Sequence, residues 1–440
     1  MFLFFILLAR EFGKNVVGEF SYYYSIVVIL FVLLDLGGEF YQIREFSRKE
    51  NLKNFNTIFI LKTFIFIPIF IGTYYLLDNI YLLILFSSYY LSSIISIFRS
   101  SLYNHGEYIL ESKYTVIEKS IFLIIIIGNV MSIKSLLLMY FAFLVSKLIY
   151  ILILLKKFYK FKYIISVKKL FNMNFTKLYL YGSWSYILHS LLVVIFVQID
   201  IIMLKQMGIS YEEIGLYSVA LKIYAIAIIF ADVLFKQYYP IVARYIQNNE
   251  IDSLKPFIVK IQSMNLFFSI YFAIFIMLFS KEIIYFGFGE AFHESSKMLI
   301  MLSIIVIFRF SMYTYTSILS SSNLNHLKLY SSIVCVIVNI TLNYILIPKY
   351  GIYGAIIATI ITELILVILF KINSLKVIFT NYITFNEIMT LFLSIIFLLF
   401  SYMNDLEIYT KLYIFLGIIL TIFIQSNKII SYISIKRLSL

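Results

Sequence analysis

Continuously apolar segments of bilayer length recur along this chain. A transmembrane helix needs about 20 consecutive apolar residues, and 13 segments of this kind can be read from the sequence. Hydrophobic residues make up 62% and charged residues 13% of the 440 residues, whereas soluble domains are about 45–50% apolar and about 25% charged. The segments do not alternate as barrel strands would, so helices must satisfy the backbone in lipid. The sequence therefore predicts an all-α integral membrane protein and excludes a soluble enzyme, a nucleic-acid-binding domain and a disulfide-stapled secreted module.

The spans predict two pseudo-symmetric six-helix lobes plus two C-terminal helices. Residues 1–9 are apolar but extend only about 14 Å, at about 1.5 Å per residue, so we expect a truncated first helix. The predicted spans are 20–36, 57–77, 80–102, 114–133, 136–155, 178–204, 215–239, 264–286, 298–321, 327–347, 352–370, 385–403 and 408–425. The predicted domains are an N-terminal lobe (1–155), a basic cytoplasmic linker (156–177), a C-terminal lobe (178–371) and two further helices with a cytoplasmic tail (372–440).

The distribution of basic residues predicts the orientation of the spans. Alternate connections carry 21 and 8 Lys and Arg residues, and the richer set is expected in the cytoplasm. This set includes the linker 156–177 and the C-terminus. The net charge of +13 is therefore typical of cytoplasmic loops and calls for no nucleic-acid partner.

A short internal repeat supports the two-lobe arrangement. Residues 18–21 (GEFS) and residues 215–218 (GLYS) each open a predicted helix, at an offset of 197 residues. The same offset relates Asp35 to Asp232, each late in an apolar helix. Two related lobes are a common plan among transporters, with the substrate site at the repeat interface.

Three stretches resemble the polysaccharide or O-antigen (Wzx-type) flippases of the multidrug/oligosaccharidyl-lipid/polysaccharide exporter superfamily. They are Leu342–Glu363 (LNYILIPKYGIYGAIIATIITE), Asp200–Arg244 with DIIML, EEIGLYSVALKI and YPIVAR, and residues 10–13 (REFG) followed by Gly18. The first stretch and the residues just before it resemble the family's signature N-x-x-LN-x-x-LIP-x-x-G-x-x-GAAxAT. The matching residues are Asn339, Asn343, Pro348, Gly351, Gly354, Ala355, Ala358 and Thr359. The chain departs from the family in its first helix, which is about half absent.

The resemblance implies a function and a location. Members of this family carry undecaprenyl-diphosphate-linked oligosaccharide repeat units across the bacterial inner membrane, in lipopolysaccharide and other polysaccharide biosynthesis. The implied partners are this lipid-linked substrate, membrane lipids and, further, a glycan polymerase and chain-length machinery. The sugar, the coupling ion and the oligomeric state do not follow from the resemblance.

Charged residues within the spans are the candidate substrate-cavity residues. A charge near the bilayer centre costs about 2.5–3.5 kcal/mol on insertion scales, so it faces a partner or a hydrated cavity. The candidates are Arg309, Lys222, Lys147, Arg99, Asp232, Asp35 and Glu363. Near helix ends, Lys62, Lys119, Lys236 and also Arg99 can instead extend into the headgroups. A cationic cavity would suit a diphosphate, because Arg binds phosphate oxygens with a fork and Lys acts as a point charge.

Helical spacing groups some of these residues. Two polar stripes occur at intervals of three or four residues, and each predicts either a hydrated lumen or a tight helix–helix seam. One stripe consists of Ser88, Ser92, Ser96, Arg99 and Tyr103. The other consists of Arg309, Tyr313, Thr316 and Ser320. Asp232 precedes Lys236 by four residues, which favours an intrahelical pair. Glu363 is expected either to pair with a cation of the C-terminal lobe or to bind a coupling ion.

Enzymatic motifs are not found in the sequence. It contains no Walker sequence, no paired histidines spaced as metal ligands and no spacing that supports a catalytic triad, so we predict a non-enzyme without a cofactor. Transport energy would then come from an ion gradient, the membrane potential or the substrate gradient. Two alternatives remain open: a cation-coupled multidrug exporter of the same fold, which would favour an acidic cavity, and a membrane-embedded glycan polymerase, which would need larger external loops.

Overall fold

A computed structural model of the protein describes residues 2–46, 55–160 and 172–378. Every regular element in these ranges is a helix. The first seven α-helices are α1 (Phe2–Asp35), α2 (Gly38–Phe46), α3 (Phe55–Leu77), α4 (Ile80–Asn104), α5 (Tyr108–Gly128), α6 (Leu136–Lys160) and α7 (Met173–Gln206). The next six are α8 (Tyr211–Gln247), α9 (Ile251–Leu278), α10 (Ser280–Phe288), α11 (Ser295–Ser321), α12 (Asn325–Tyr350) and α13 (Ile352–Ser374). The predicted all-α membrane fold is confirmed.

Eleven of the described helices are long and apolar enough to cross a membrane. They correspond one to one with the predicted spans from 20–36 to 352–370. The predicted spans 385–403 and 408–425 lie outside the described residues. Side chains such as Tyr181 and Phe64, which are 89% and 74% exposed, are large hydrophobic groups on the outer faces of these helices. Exposed apolar surface of this kind is typical of contact with lipid.

The predicted first helix (1–9) and the predicted span 20–36 are not separated by a loop, because the backbone is helical on both sides of a single kink. α1 breaks at Gly13, which has φ 77° and ψ −179°. A positive φ is readily adopted by glycine, which has no Cβ to clash. The residues before the kink belong to the core: Phe4 is fully buried, and its ring lies 5.1 Å from that of Phe20 and 4.9 Å from that of Phe143.

The connections between helices are shorter than the hydropathy predicted. α8 continues through Pro240 to Gln247, and α9 begins at Ile251, whereas the predicted spans 215–239 and 264–286 leave a much longer connection between them. Hydropathy detects the part of a helix that lies in lipid, while polar residues continue the same helix beyond it. The segment between the predicted spans 264–286 and 298–321 likewise contains the end of α10 and a short 3-10 turn at Glu290–Phe292.

The chain divides into two compact units, Met1–Gly215 and Leu216–Leu440. In unit 1, α1 packs on α4 and α7, α4 packs on α2, α3 and α6, and α5 packs on α6. In unit 2, α11 packs on α9 and α13, and α12 packs on α13. The lobe boundary at the linker 156–177 stays a prediction.

Candidate substrate cavity

Unit 1 contains a cavity of about 280 Å³ between α1, α4, α5 and α6. Two of the predicted site residues, Arg99 and Lys147, line this cavity. Its other polar side chains include Glu118 and Lys119, and its wall is rich in tyrosine. The structure therefore brings together two cations that lie 48 positions apart in the sequence.

The walls of the cavity follow from helical spacing. α5 contributes Thr115, Glu118, Lys119 and Phe122, and α6 contributes Phe143, Ser146, Lys147 and Tyr150. Both sets have the spacing i, i+3, i+4, i+7, which places four side chains on one face of a helix. α5 and α6 pack against each other, so the two polar faces meet over the same space. Residues 89, 92, 95 and 99 of α4 and residue 24 of α1 complete the wall.

Lys147 lies in this cavity against an aromatic ring. Its Nζ atom is 4.6 Å from the centroid of Tyr89, a distance at which the ring face attracts a cation. Among the residues that the structure describes, Lys147 forms no ion pair, although Glu118 and Lys119 lie close enough to act on it electrostatically. Its charge is therefore not compensated by direct contact with a carboxylate.

Arg99, in contrast, is held by two carboxylates. Its Nε atom donates to Oε1 of Glu111 at 2.7 Å, and its Nη1 atom lies 3.5 Å from Oε2 of Glu39. The hydroxyl of Tyr103 donates to the other oxygen of Glu111 at 3.0 Å. One cation thus joins α4 to both α2 and α5, and its charge is largely neutralised at one end of the cavity.

Asp35 belongs to a separate buried network next to Arg99. Its Oδ1 atom accepts from Lys62 Nζ at 3.0 Å and from Ser96 Oγ at 3.0 Å. Lys62 is fully buried and also donates to the carbonyl of Ser93 at 2.6 Å. The expectation that Lys62 reaches the headgroups is wrong, because Asp35 and the polar face of α4 satisfy its ammonium inside the protein. At Ser96, therefore, the first polar stripe forms a tight helix–helix seam and not a hydrated lumen.

α2 is joined to this network by Gln42 and Glu39. Gln42 is fully buried; its Nε2 donates to the Asp35 carbonyl at 3.2 Å, and its Oε1 accepts from Ser96 Oγ at 3.2 Å. Burial raises the pKa of the Glu39 carboxyl above its usual value of 4.5, Arg99 opposes this rise, and Glu111 adds to it. The short amphipathic helix is therefore fixed by polar groups within unit 1.

In unit 2, Arg309 and Glu363 form an ion pair between α11 and α13. Glu363 is 1% exposed and the side chain of Arg309 is 20% exposed. Tyr224 and Tyr313 lie beside the guanidinium. Of the two alternatives expected for Glu363, the structure shows the pair with a cation of the C-terminal lobe, and the binding of a coupling ion stays a prediction.

The other candidates in unit 2 lie on α8. Asp232 pairs with Lys236 one turn later, which confirms the intrahelical pair that the spacing predicted. Lys222 is half-buried on the same helix. Although Asp35 and Asp232 are related by the repeat, the first binds a lysine of another helix and the second a lysine of its own. The role of all seven candidates in substrate binding stays a prediction.

Sequence reasoning missed several residues that shape these sites. Glu39 and Glu111 pair with the predicted cation Arg99. Gln42 binds the main-chain carbonyl of Asp35 and the hydroxyl of Ser96, and Glu118 and Tyr89 line the cavity. The i, i+3, i+4, i+7 pattern on α5 would have drawn attention to Glu118. No sequence signal would have paired Tyr89 with Lys147, because α4 and α6 are not adjacent along the chain.

The comparisons with known proteins agree on the architecture. The MatE family profile matches residues 186–345. A solved structure of the lipid II flippase MurJ in an inward closed conformation is 18% identical and has a TM-score of 0.76, covering 97% of this chain and 96% of that one. The chain has this fold. An inward-facing MATE multidrug-resistance transporter of the MOP superfamily is 13% identical with a TM-score of 0.67, covering 86% of this chain and 93% of that one.

A third similar structure concerns the polarity of the binding pocket. It is a MOP superfamily transporter from Pyrococcus furiosus, 12% identical with a TM-score of 0.59, covering 84% of this chain and 90% of that one. For that transporter, the reverse polarity of the binding pocket suggests a different function. No curated protein sequence matches the chain. The MurJ/MATE-like fold is thus shared by a lipid II flippase and by multidrug-resistance transporters.

Proposed function

We propose that this chain is a membrane transporter that moves undecaprenyl-diphosphate-linked oligosaccharides across the bacterial inner membrane by alternating access. The observation that carries this proposal is the position of Lys147. An ammonium group within a membrane span costs about 2.5–3.5 kcal/mol on insertion scales, and among the described residues it has only an aromatic ring as a direct partner. An anionic ligand would compensate this charge. A diphosphate is such an anion, and the likeness to a lipid II flippase supports a lipid-linked one.

A cation-coupled multidrug exporter of the same fold is the alternative. The similarity to MATE transporters and the presence of Glu118 in the cavity wall favour it. A cation pump, however, would need a cavity with a net negative charge. Here the charge of Glu118 is balanced by Lys119, whose Nζ atom is 2.9 Å from the carboxylate, and the positive charge of Lys147 is left over. We therefore prefer transport of a lipid-linked saccharide to export of organic cations as the function.

The proposal is tested with the purified chain in vesicles that contain undecaprenyl-diphosphate-N-acetylglucosamine in both leaflets. A soluble galactosyltransferase cannot cross the bilayer, so it modifies inner-leaflet lipid only after transport. We expect the chain to make the inner pool available, and Lys147→Gln to slow this strongly. Lys113→Gln is the matched control, because it removes the same charge from an exposed position on α5.

A parallel measurement with the same vesicles separates the two candidates. Two results together would overturn the proposal in favour of the multidrug exporter. The vesicles would take up a fluorescent organic cation regardless of the lipid-linked saccharide, and the inner lipid pool would stay inaccessible. Lys147→Gln should then increase cation transport, because it removes a repulsive charge from the cavity.

The proposed orientation follows from the distribution of basic residues. The linker 156–177 and the C-terminus are placed in the cytoplasm by the positive-inside rule. Reporter fusions at Lys162 and Ser439 in bacterial inner membranes should both give a cytoplasmic signal, and a periplasmic signal at either position would contradict the orientation. In this arrangement a glycan polymerase and chain-length machinery would receive the translocated product.

A further inference from the structure

The cavity that contains Lys147 also contains a buried carboxylate. Glu118 is 6% exposed, and its two oxygens lie 3.1 Å and 2.9 Å from Nζ of Lys119. A carboxylate in a cavity that received phosphate alone would repel the ligand. Its presence beside Lys147 is explained if the ligand offers hydrogen-bond donors as well as an anion.

Glu118 retains the capacity to accept such bonds. An ionised carboxylate has about four acceptor positions, and among the described residues both polar contacts of Glu118 are to Lys119. Lys119 is itself 61% exposed, so it covers the carboxylate from one side. Hydroxyl or amide N–H groups of a bound sugar could occupy the positions that face the cavity.

Tyrosine rings supply the second feature of a sugar site. Tyr24 and Tyr89 lie with ring centroids 6.1 Å apart at an interplanar angle of 76°, so they form a corner in the cavity wall. The C–H face of a sugar ring carries partial positive charge and packs well on the electron-rich face of an aromatic ring. The hydroxyl groups at the sugar edge are then directed away from the rings.

We propose that this cavity binds the glycosyl phosphate end of the lipid-linked substrate, with Lys147 attracting the phosphate and Glu118 accepting hydrogen bonds from the first sugar. The cavity volume of about 280 Å³ lies near the lower end of ligand pockets, about 300–1,000 Å³, and suits one sugar ring with its phosphate. Glu118 is then the residue that makes a glycosylated lipid bind better than the bare lipid diphosphate. This inference rests on the proposed function and names the part of the substrate that the cavity selects.

The experiment compares two probes on the purified full chain: undecaprenyl diphosphate and undecaprenyl-diphosphate-N-acetylglucosamine. Affinities are measured in detergent by native mass spectrometry for wild type, Glu118→Gln, Lys147→Gln and Lys119→Gln. A hydrogen bond to a charged group corresponds to about tenfold or more in affinity. We therefore expect Glu118→Gln to weaken the glycosylated lipid about tenfold while the bare lipid binds as well as before or better.

The other two variants serve as controls on the charge. Lys147→Gln should weaken both lipids by the same factor, because it removes the attraction to the phosphate that they share. Lys119→Gln removes the neighbouring charge but leaves the Glu118 acceptor, so the preference for the glycosylated lipid should persist. If Lys119→Gln loses the preference for the glycosylated lipid as Glu118→Gln does, Glu118 acts only as the ion-pair partner of Lys119, and the inference is overturned.

Two outcomes distinguish this inference from the proposed function. If neither lipid binds to wild type, the proposed function fails. If both lipids bind and Glu118→Gln leaves their affinity ratio unchanged, the function stands and the inference fails. Should Glu118→Gln not fold, Tyr24→Leu replaces it: loss of the stacking wall must weaken only the glycosylated lipid, and an equal loss for both lipids overturns the inference.

Discussion

Gly18 and Gly215 each lie against the backbone of the segment that contains the other. A Cβ atom on Gly18 would be 1.8 Å from the carbonyl oxygen of Tyr211, and one on Gly215 would be 2.0 Å from the carbonyl oxygen of Lys14. Both contacts follow the 197-residue offset of the sequence repeat, since Lys14 corresponds to Tyr211 as Gly18 does to Gly215. The contact is therefore reciprocal, as expected where two segments related by a repeat cross each other.

Gly18→Ala should destabilise the protein, because the added methyl group has no room unless the backbones move apart. Overpacking of this kind costs about 1–3 kcal/mol, which should appear as a lower melting temperature in detergent by intrinsic fluorescence or size-exclusion chromatography after heating. Gly72→Ala is the matched control, since its Cβ would meet nothing within 4 Å and alanine favours a helix interior. Equal stability of the two variants would show that the crossing is not tightly packed.

The Lys62–Asp35 pair predicts an asymmetric response to mutation. Lys62→Met leaves the Asp35 carboxylate without its buried counterion, which costs about 3–5 kcal/mol in buried pairs. The double variant Lys62→Met with Asp35→Asn removes both charges and should recover much of the lost thermal stability. A double variant as unstable as Lys62→Met would show that the hydrogen bonds to α4, and not the charge pair, determine the stability.

The apolar pattern could predict the described spans because lipid imposes the same requirement on each helix separately. It could not predict the partners of the intramembrane charges, which depend on helices that pack far from their neighbours in sequence. Lys62 illustrates the difference: its distance from a helix end suggested the headgroups, whereas the carboxylate of Asp35 on α1 keeps it inside. Arg99 was identified as a candidate, but Glu39 and Glu111, which hold it, were not.

The raised pKa of Glu39 predicts a pH-dependent stability. Because the folded pKa lies above the usual value of 4.5, the contribution of Glu39 is fully present below that value and is lost as the pH rises through the folded pKa. Glu39→Gln imitates the neutral form, so it should match wild type near about pH 4 and melt at a higher temperature near about pH 7.5. Glu290→Gln, which removes the same charge from an exposed position, controls for the change in net charge. A constant difference between wild type and Glu39→Gln would contradict the prediction.

The candidate cavity could be predicted only in its chemical character. The sequence indicated intramembrane cations suited to a diphosphate, and Arg99 and Lys147 do share one cavity. Its acidic and aromatic side chains were hidden because Glu118 lies close to the start of the predicted span 114–133, although it is central in α5, and because tyrosine is common in an aromatic-rich chain. Their meeting point depends on the packing of α4, α5 and α6, which hydropathy does not describe.

The Arg309–Glu363 pair separates a structural role from a role in transport. Arg309→Met leaves the buried Glu363 uncompensated, so stability and abundance should fall, and Arg309→Met with Glu363→Leu should restore both, because neither charge remains. We expect transport of the lipid-linked saccharide to stay low in this double variant, since Arg309 is the more exposed partner and its fork would bind phosphate. Arg309→Lys, which keeps the charge without the fork, should retain partial transport. Full transport by the stable double variant would show that Arg309 has only a structural role, which is to connect α11 with α13.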